Sequence, residues 1–215
     1  MESYYAFEGR IRYYAPLPKT LEIVQAGGLG TPGDFRGTLG PEMADPSRWK
    51  EPPHVVLANL LADKRAVEEF VRKYGPLLGR RTYLMPKDGA PQFYENLAHF
   101  NLFQEVVRRA WADEEDAIKN IEGRVGSIGS GRILLSAQNG SLEANVPDLE
   151  RFICLLVLRD RAEGKIAICE NADCPARYFL RQRKGQQFCS HKCAVLINVR
   201  RFRRKAAEKQ TRRRK

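Results

Sequence analysis

Four cysteines near the end of the chain carry the clearest chemistry in the sequence. They stand as Cys169-x4-Cys174 and Cys189-x3-Cys193, two close pairs separated by fourteen residues. Zinc takes four soft or borderline ligands at about 2.0 to 2.3 Å in a tetrahedron, and two close pairs joined by a short loop deliver that geometry from little chain. Four thiolates close the shell, so the expectation is one structural Zn2+ rather than a catalytic ion with an open position. His191 lies between the last two cysteines and reads as an exposed loop histidine rather than a competing ligand. So few apolar residues surround the pairs that metal ligation would have to supply the folding free energy, on the order of 10 kcal/mol or more. Ligand spacing takes precedence over disulfides in a reducing compartment. No cleavable leader is legible after Met1, and no apolar run approaches the roughly 20 residues that cross a bilayer, so a cytoplasmic location without a membrane is expected.

Charge points the same region at a polyanion. The net charge is +11, and residues 175–215 hold fifteen Lys and Arg against the single acid Glu208, a segment charge of +14 that leaves −3 for residues 1–174. Each cation that meets a phosphate releases condensed counterions and strengthens binding at low salt. After Cys193, the residues Leu196, Val199, Phe202 and Ala206 recur on one side of a helix, and Arg200, Arg201, Arg204 and Lys205 fall mostly on the other. The expectation is that the apolar stripe seats the helix on the zinc module and leaves arginines free to grip phosphates or guanine edges. Charge alone leaves DNA, RNA and anionic lipid open, and attachment to a metal module favours nucleic acid.

The elements that must position these groups follow from periodicity. Ser3–Tyr14 and Leu21–Val24 suggest one or two strands, and Gly27–Pro53 reads as a long Gly- and Pro-rich loop. Apolar spacing from Val55 to Leu78 predicts one or two amphipathic helices ending near Tyr74-Gly75-Pro76, and a clear helix running from Phe93 to Trp111. Arg132–Gln138 and Ser141–Val146 flank Asn139-Gly140, a hairpin signal, and Pro147-Asp148 opens a helix through Leu158. Within the metal region, Arg177–Arg181 and Gln186–Cys189 are expected to form a short hairpin turning at Lys184-Gly185, with the second cysteine pair starting a helix. The fold class expected is α+β. A mainly helical N-terminal domain with a short sheet occupies residues 1–165, a treble-clef-like four-cysteine module with its basic helix 166–205, and a basic tail 206–215.

Taken together, Cys169-x4-Cys174, Tyr178-Phe179, Phe188-Cys189-Ser190 and Arg200-Arg201-Phe202-Arg203-Arg204 resemble the bacterial CGNR zinc finger family, whose members pair this finger with an upstream ABATE domain. The resemblance is specific over Cys169–Lys205 and looser upstream, around Glu69-Phe70 and Tyr74-Gly75-Pro76-Leu77. It implies a transcriptional regulator that binds DNA through the finger. It carries over the four cysteines as zinc ligands, and Arg200, Arg201, Arg203 and Arg204 as a basic segment rather than as identified base contacts; together with Lys205 these are the nucleic-acid-binding residues expected. The N-terminal domain then has a sensing role or serves for homo-oligomer assembly. The tetrad that names the family stands here as Cys193-Ala194-Val195-Leu196, so the ligand is kept and the polar Asn and Arg are absent.

Other signals point elsewhere and are weaker. Gly28-Leu29-Gly30-Thr31-Pro32-Gly33 matches a dinucleotide-binding pattern, but Pro32, Gly37, Gly40 and Pro41 disfavour the helix that would hold the pyrophosphate. Asp113–Asp116 reads as a solvated acidic segment and Cys154 as a small core residue, while His54 and His99 have no motif partner in the sequence. The expectation is therefore a DNA-binding protein without enzymatic activity. The alternatives are an RNA- or ribosome-associated zinc protein and an enzyme with its site in the N-terminal domain.

Overall fold

The structure, a computed structural model, describes residues 10–13, 16–19, 21–24, 34–61, 63–77, 92–126, 134–138, 141–146 and 148–213. The glycine motif Gly28–Gly33 and the turn Asn139-Gly140 lie outside the described residues. Among those described, the elements run β1 (Arg10–Tyr13), β2 (Pro16–Pro18), β3 (Glu22–Val24), β4 (Asp34–Met43), α1 (Pro53–Asn59), α2 (Lys64–Tyr74), β5 (Gln92–Asn96), α3 (Leu97–Trp111), α4 (Glu115–Gly126), β6 (Leu134–Gln138), β7 (Ser141–Val146), α5 (Leu149–Ala162), β8 (Ile166–Ile168), β9 (Tyr178–Leu180) and α6 (His191–Arg213).

Helices supply the core. Phe70, Phe93, Phe100, Phe103, Leu57 and Ile153 are among its largest fully buried side chains. Phe70 meets Phe100 edge-on with ring centroids 5.5 Å apart, and Trp49 meets Tyr74 at 4.9 Å. Helix α5 is buried almost all round, with Leu149, Phe152, Ile153, Cys154, Leu156 and Val157 inside, as expected of a central helix rather than a surface one. Helix starts are set by side-chain caps. Asp63 accepts from the Ala66 amide at 2.8 Å, Asn96 from His99 at 3.0 Å and Asp148 from Arg151 at 2.8 Å, each worth about 1 kcal/mol. At the end of α2, Gly75 takes φ 95°, a conformation that favours glycine, so the helix stops where the Tyr-Gly-Pro sequence indicates.

Two sheets flank the helices. Strands β6 and β7 form the expected antiparallel hairpin, and β1 joins β7 in parallel. The second sheet centres on β4, whose first half lies between β3 and β5 and whose second half pairs with β2. This corrects two expectations. Part of the Gly- and Pro-rich stretch read as a loop is a ten-residue strand, because ladder partners on both sides satisfy its backbone whatever its side-chain pattern. The helix expected from Phe93 begins only at Leu97, since Gln92–Asn96 pairs with β4 and Asn96 then caps α3.

Strands β8 and β9 form a two-stranded antiparallel sheet against the helical body. Ile166, Ile168, Tyr178 and Leu180 pack on the main core, Ala167 and Phe179 face the cysteines, and the sheet therefore joins two hydrophobic clusters. Polar contacts fix it in place. The Asn59 amide donates to the Tyr178 carbonyl at 2.7 Å while its oxygen accepts from the Tyr178 amide at 3.0 Å, and the Trp111 indole donates to the Ala167 carbonyl at 2.9 Å. The hairpin expected between Arg177–Arg181 and Gln186–Cys189 is thus replaced by one that flanks the first cysteine pair. The turn itself is present, with Gly185 at φ 76°. However, Gln186 and Gln187 offer no apolar alternation, whereas Ile166 and Ile168 do, and so β8 takes the pairing.

Candidate metal centre

The loop between β8 and β9 brings the first pair of cysteines together. The Cys169 amide donates to the Arg177 carbonyl at 2.7 Å and the Cys174 amide to the Asn171 carbonyl at 3.0 Å, so the loop closes on itself. A further bond, from the Glu170 amide to the Gln187 carbonyl at 3.1 Å, ties it to the segment that carries Cys189. Ser190 then caps α6, its hydroxyl accepting from the Cys193 amide at 3.3 Å, which sets Cys193 in the first turn of the helix.

The four Sγ atoms of Cys169, Cys174, Cys189 and Cys193 all lie within 4.8 Å of one another. A tetrahedral ion with metal–sulfur distances of about 2.3 Å would separate its thiolates by roughly 3.8 Å. Cys174 and Cys189 stand 3.4 Å apart and Cys189 and Cys193 3.7 Å, so the donor set fits a single metal ion. Three of the four are buried and Cys189 is half-buried. Electrostatics within the cluster is uneven. The Asn171 amide, donating to Cys193 Sγ at 3.4 Å, together with Ser190, draws the Cys193 thiol down to about 6. Burial, reinforced by the neighbouring thiol of Cys174, pushes Cys189 up to about 12. Burial likewise raises Cys174. Cys193 forms its thiolate readily, whereas the thiols of Cys174 and Cys189 need a nearby cation to ionise.

The inward placement of Cys193 in the cysteine cluster also fixes the rotation of α6, and here the expected seating is reversed. Val195, Leu196, Val199 and Phe202 are 44%, 42%, 42% and 74% exposed, so the apolar stripe does not pack on the module. Arg200 instead pairs with Asp173 at 2.7 Å and Arg201 with Glu170 at 3.0 Å, both acids belonging to the metal loop. The cause is geometric. Cys193 must face the other thiols, and at about 100° per residue this turns Ile197 and Arg200 toward the module while Val195, Val199 and Phe202 point away. Arg203 and Lys205 are exposed, and Arg204 lies 3.8 Å from Glu208. His191 is exposed, as expected, but opens the helix instead of lying in a loop. Beside Cys189, an open cleft of about 850 Å³ is lined by Arg183, Lys184, Phe188 and His191.

Two histidines singled out as partnerless in the sequence have partners in space. His54 Nε2 lies 2.9 Å from Asp160 in a fully buried pair that joins α1 to α5, and its ring stacks on Trp111. Burial lowers the His54 pKa, whereas Asp160, which burial alone would raise, is held below its usual value by the hydrogen bond from His54. The pair is therefore a neutral imidazole donating to a carboxylate, sealed from solvent. His99 Nε2 lies 2.9 Å from Glu150, which also pairs with Arg124, so one carboxylate binds α3, α4 and α5 together. Neither has a motif partner in the sequence because the partners lie 106 and 51 residues away. Cys154 is buried in the core as expected, with burial raising its thiol pKa. Asp113, Glu114 and Asp116 form exposed ion pairs with Arg161 and Arg109.

Comparison with models of known protein families, with curated proteins and with solved structures finds no match. Among the described residues, no helix is long and apolar enough to cross a membrane.

Proposed function

We propose that this chain is a zinc-dependent DNA-binding protein acting in transcriptional regulation, with Zn2+ as its structural ion. The observation that carries the reading is the placement of Cys193 in the first turn of the 23-residue helix α6, so that one ion fixes the direction of the most cationic segment of the chain. When bound, the ion supplies four metal–thiolate bonds and cancels the repulsion among the sulfurs. The protein's own residues do the rest. Ser190 and Asn171 orient the cysteines, Asp173 and Glu170 moor the helix through Arg200 and Arg201, and Arg203 and Lys205 project toward a phosphate backbone.

The CGNR zinc finger resemblance and a treble-clef-like arrangement are consistent with a metal loop leading into a ligand-bearing helix, and belong to the same proposal. Residues 1–165 would then act as an ABATE-like body that senses a signal or assembles copies of the chain, and 166–205 as the binding module. The test is selection of genomic DNA fragments by the purified zinc-loaded chain at near-physiological salt, with a chelated control. Enrichment of a short motif that disappears on chelation supports a sequence-specific regulator. Uniform recovery reduces the activity to phosphate contact, which carries no base information.

A further inference from the structure

Helix α6 presents an exposed face that neither the metal nor the helical body uses. At about 100° per residue, Val195, Val199, Phe202 and Ala206 fall within roughly 60° of one another, on the side of the helix opposite Cys193. All four are exposed, Phe202 to 74%. Exposed cations border the stripe, with Lys192 and Arg203 along one edge and Lys205 along the other. A long exposed helix that is apolar along its midline and positive at both edges has a specific complement.

Resting on the nucleic-acid reading above, we infer that α6 enters the major groove of duplex DNA stripe-first, with Val199 and Phe202 against thymine methyl groups and Lys192, Arg203 and Lys205 reaching the phosphates on either wall. Dimensions agree. The groove is about 12 Å wide and an α-helix with side chains about 10 to 12 Å across. From Val195 to Ala206 the stripe runs about 16 Å, or about five base-pair steps at 3.4 Å each. The thymine C5 methyl is the one apolar group that the bases display in that groove. Arg200 and Arg201, held by Asp173 and Glu170, then serve as moorings on the far side of the helix rather than as base contacts.

Charge and shape separate this occupant from the others. A second copy of the helix would set cationic edges against each other. A lipid interface calls for a broader apolar face than four residues with one aromatic ring. A-form RNA has a major groove too deep and narrow for a helix to read.

The experiment titrates the zinc-loaded full chain against an alternating A·T duplex, the same duplex with deoxyuridine in place of thymidine, and an A·U RNA duplex, at matched salt. Uracil keeps the phosphates and the hydrogen-bonding pattern and removes only the methyl. A contacted methyl is worth about fourfold in affinity, so two or more contacts predict a loss of roughly tenfold or greater on the deoxyuridine duplex. Val199→Gln and Phe202→Gln, both at exposed helix positions, should bring that ratio close to one while zinc content and the salt slope are kept. Equal affinity of the unaltered protein for the two DNA duplexes overturns the inference and leaves phosphate binding standing. RNA bound as tightly as DNA also overturns it. Failure to bind any of the three probes removes the nucleic-acid reading itself, and the groove assignment with it.

Discussion

Replacing Asn59 with alanine should weaken the whole protein, although Asn59 touches neither the metal nor the basic helix. Its side chain makes three hydrogen bonds, to the Val55 carbonyl at 2.9 Å, the Tyr178 carbonyl at 2.7 Å and from the Tyr178 amide at 3.0 Å. The bond to Val55 is local, but the other two satisfy both backbone groups of Tyr178 on the face of β9 turned toward α1. Truncation leaves that amide and carbonyl half-buried without partners, at about 1 to 2 kcal/mol each when some water can enter. Alanine returns about 0.5 kcal/mol through helix propensity, so the net loss is about 2 to 3 kcal/mol. In urea, at fixed free zinc, this lowers the midpoint by about 1 M with little change in slope. Trp111, which donates to the Ala167 carbonyl in the same hairpin, gives a fluorescence report of the event. Zinc affinity should fall together with stability, because the hairpin that presents Cys169 is the part undocked. A midpoint shift equivalent to less than about 0.5 kcal/mol, the scatter of ordinary surface substitutions, would refute the docking argument and make the metal module energetically separate from the body.

Cys174→Ser removes one of the four thiolates, and metal content after dialysis against a mild chelator should drop from one ion per chain to near none; retention of the full ion would refute a four-thiolate site. Arg203→Ala with Lys205→Ala should reduce the slope of log affinity against log salt on duplex DNA by about 2, whereas Arg200→Ala with Arg201→Ala should change it less, since those guanidinium groups already pair with Asp173 and Glu170. An equal effect of the two double variants would place all four at the phosphate backbone. The hydrogen bond to Glu150 raises the His99 pKa against the opposing effect of burial, so its stabilisation is full below the ordinary value of 6.5 and is lost as pH rises through the higher folded value. Glu150 is the reverse case. Burial alone would raise it, but His99 and Arg124 hold it below 4.5, so its stabilisation is present above 4.5 and fails as pH falls through the lower folded value. The melting-temperature advantage of the native chain over His99→Gln should therefore be largest in the mildly acidic window between these ordinary values and shrink toward alkaline pH; an advantage independent of pH would sink the assignment.

The four-cysteine cluster was legible because the geometry that a zinc site needs is local. Two cysteine pairs at short spacing can face one ion with little help from the rest of the chain, and the structure gathers all four. Most helices were legible as well, since apolar periodicity is written in short windows of sequence and Pro147-Asp148 marks the start of α5. Several of the misreadings depend on partners elsewhere in the chain. Strand β4 carries glycines and a proline that argue against a strand, yet it pairs with β2, β3 and β5, the last reaching it from beyond residue 90. Tyr178–Leu180 found its partner in Ile166–Ile168 because those isoleucines also serve the main core. The partners of His54 and His99 arrive from α5, far along the chain.

The reversed seating of α6 is the most instructive of these, because the usual rule that an apolar stripe faces the protein assumes that burial is the strongest force acting on the helix. With the proposed ion bound, metal–thiolate coordination competes. Burying Val199 and Phe202 would gain a few kcal/mol at about 25 cal/mol per Å², whereas detaching one of four thiolates forfeits a large part of a binding free energy on the order of 10 kcal/mol. The ligand wins, Cys193 turns inward, and whatever lies about 180° away must face solvent. The acids Asp173 and Glu170 reinforce that rotation by holding Arg200 and Arg201 on the inner side. Coordination thus decides which residues of a cationic helix are spent on mooring and which remain outward for a partner. The same logic predicts that loss of the metal frees the helix to rotate. Its stripe could then collapse onto the body, so the chelated chain should lose its outward cationic edge as well as its fold at the cysteines.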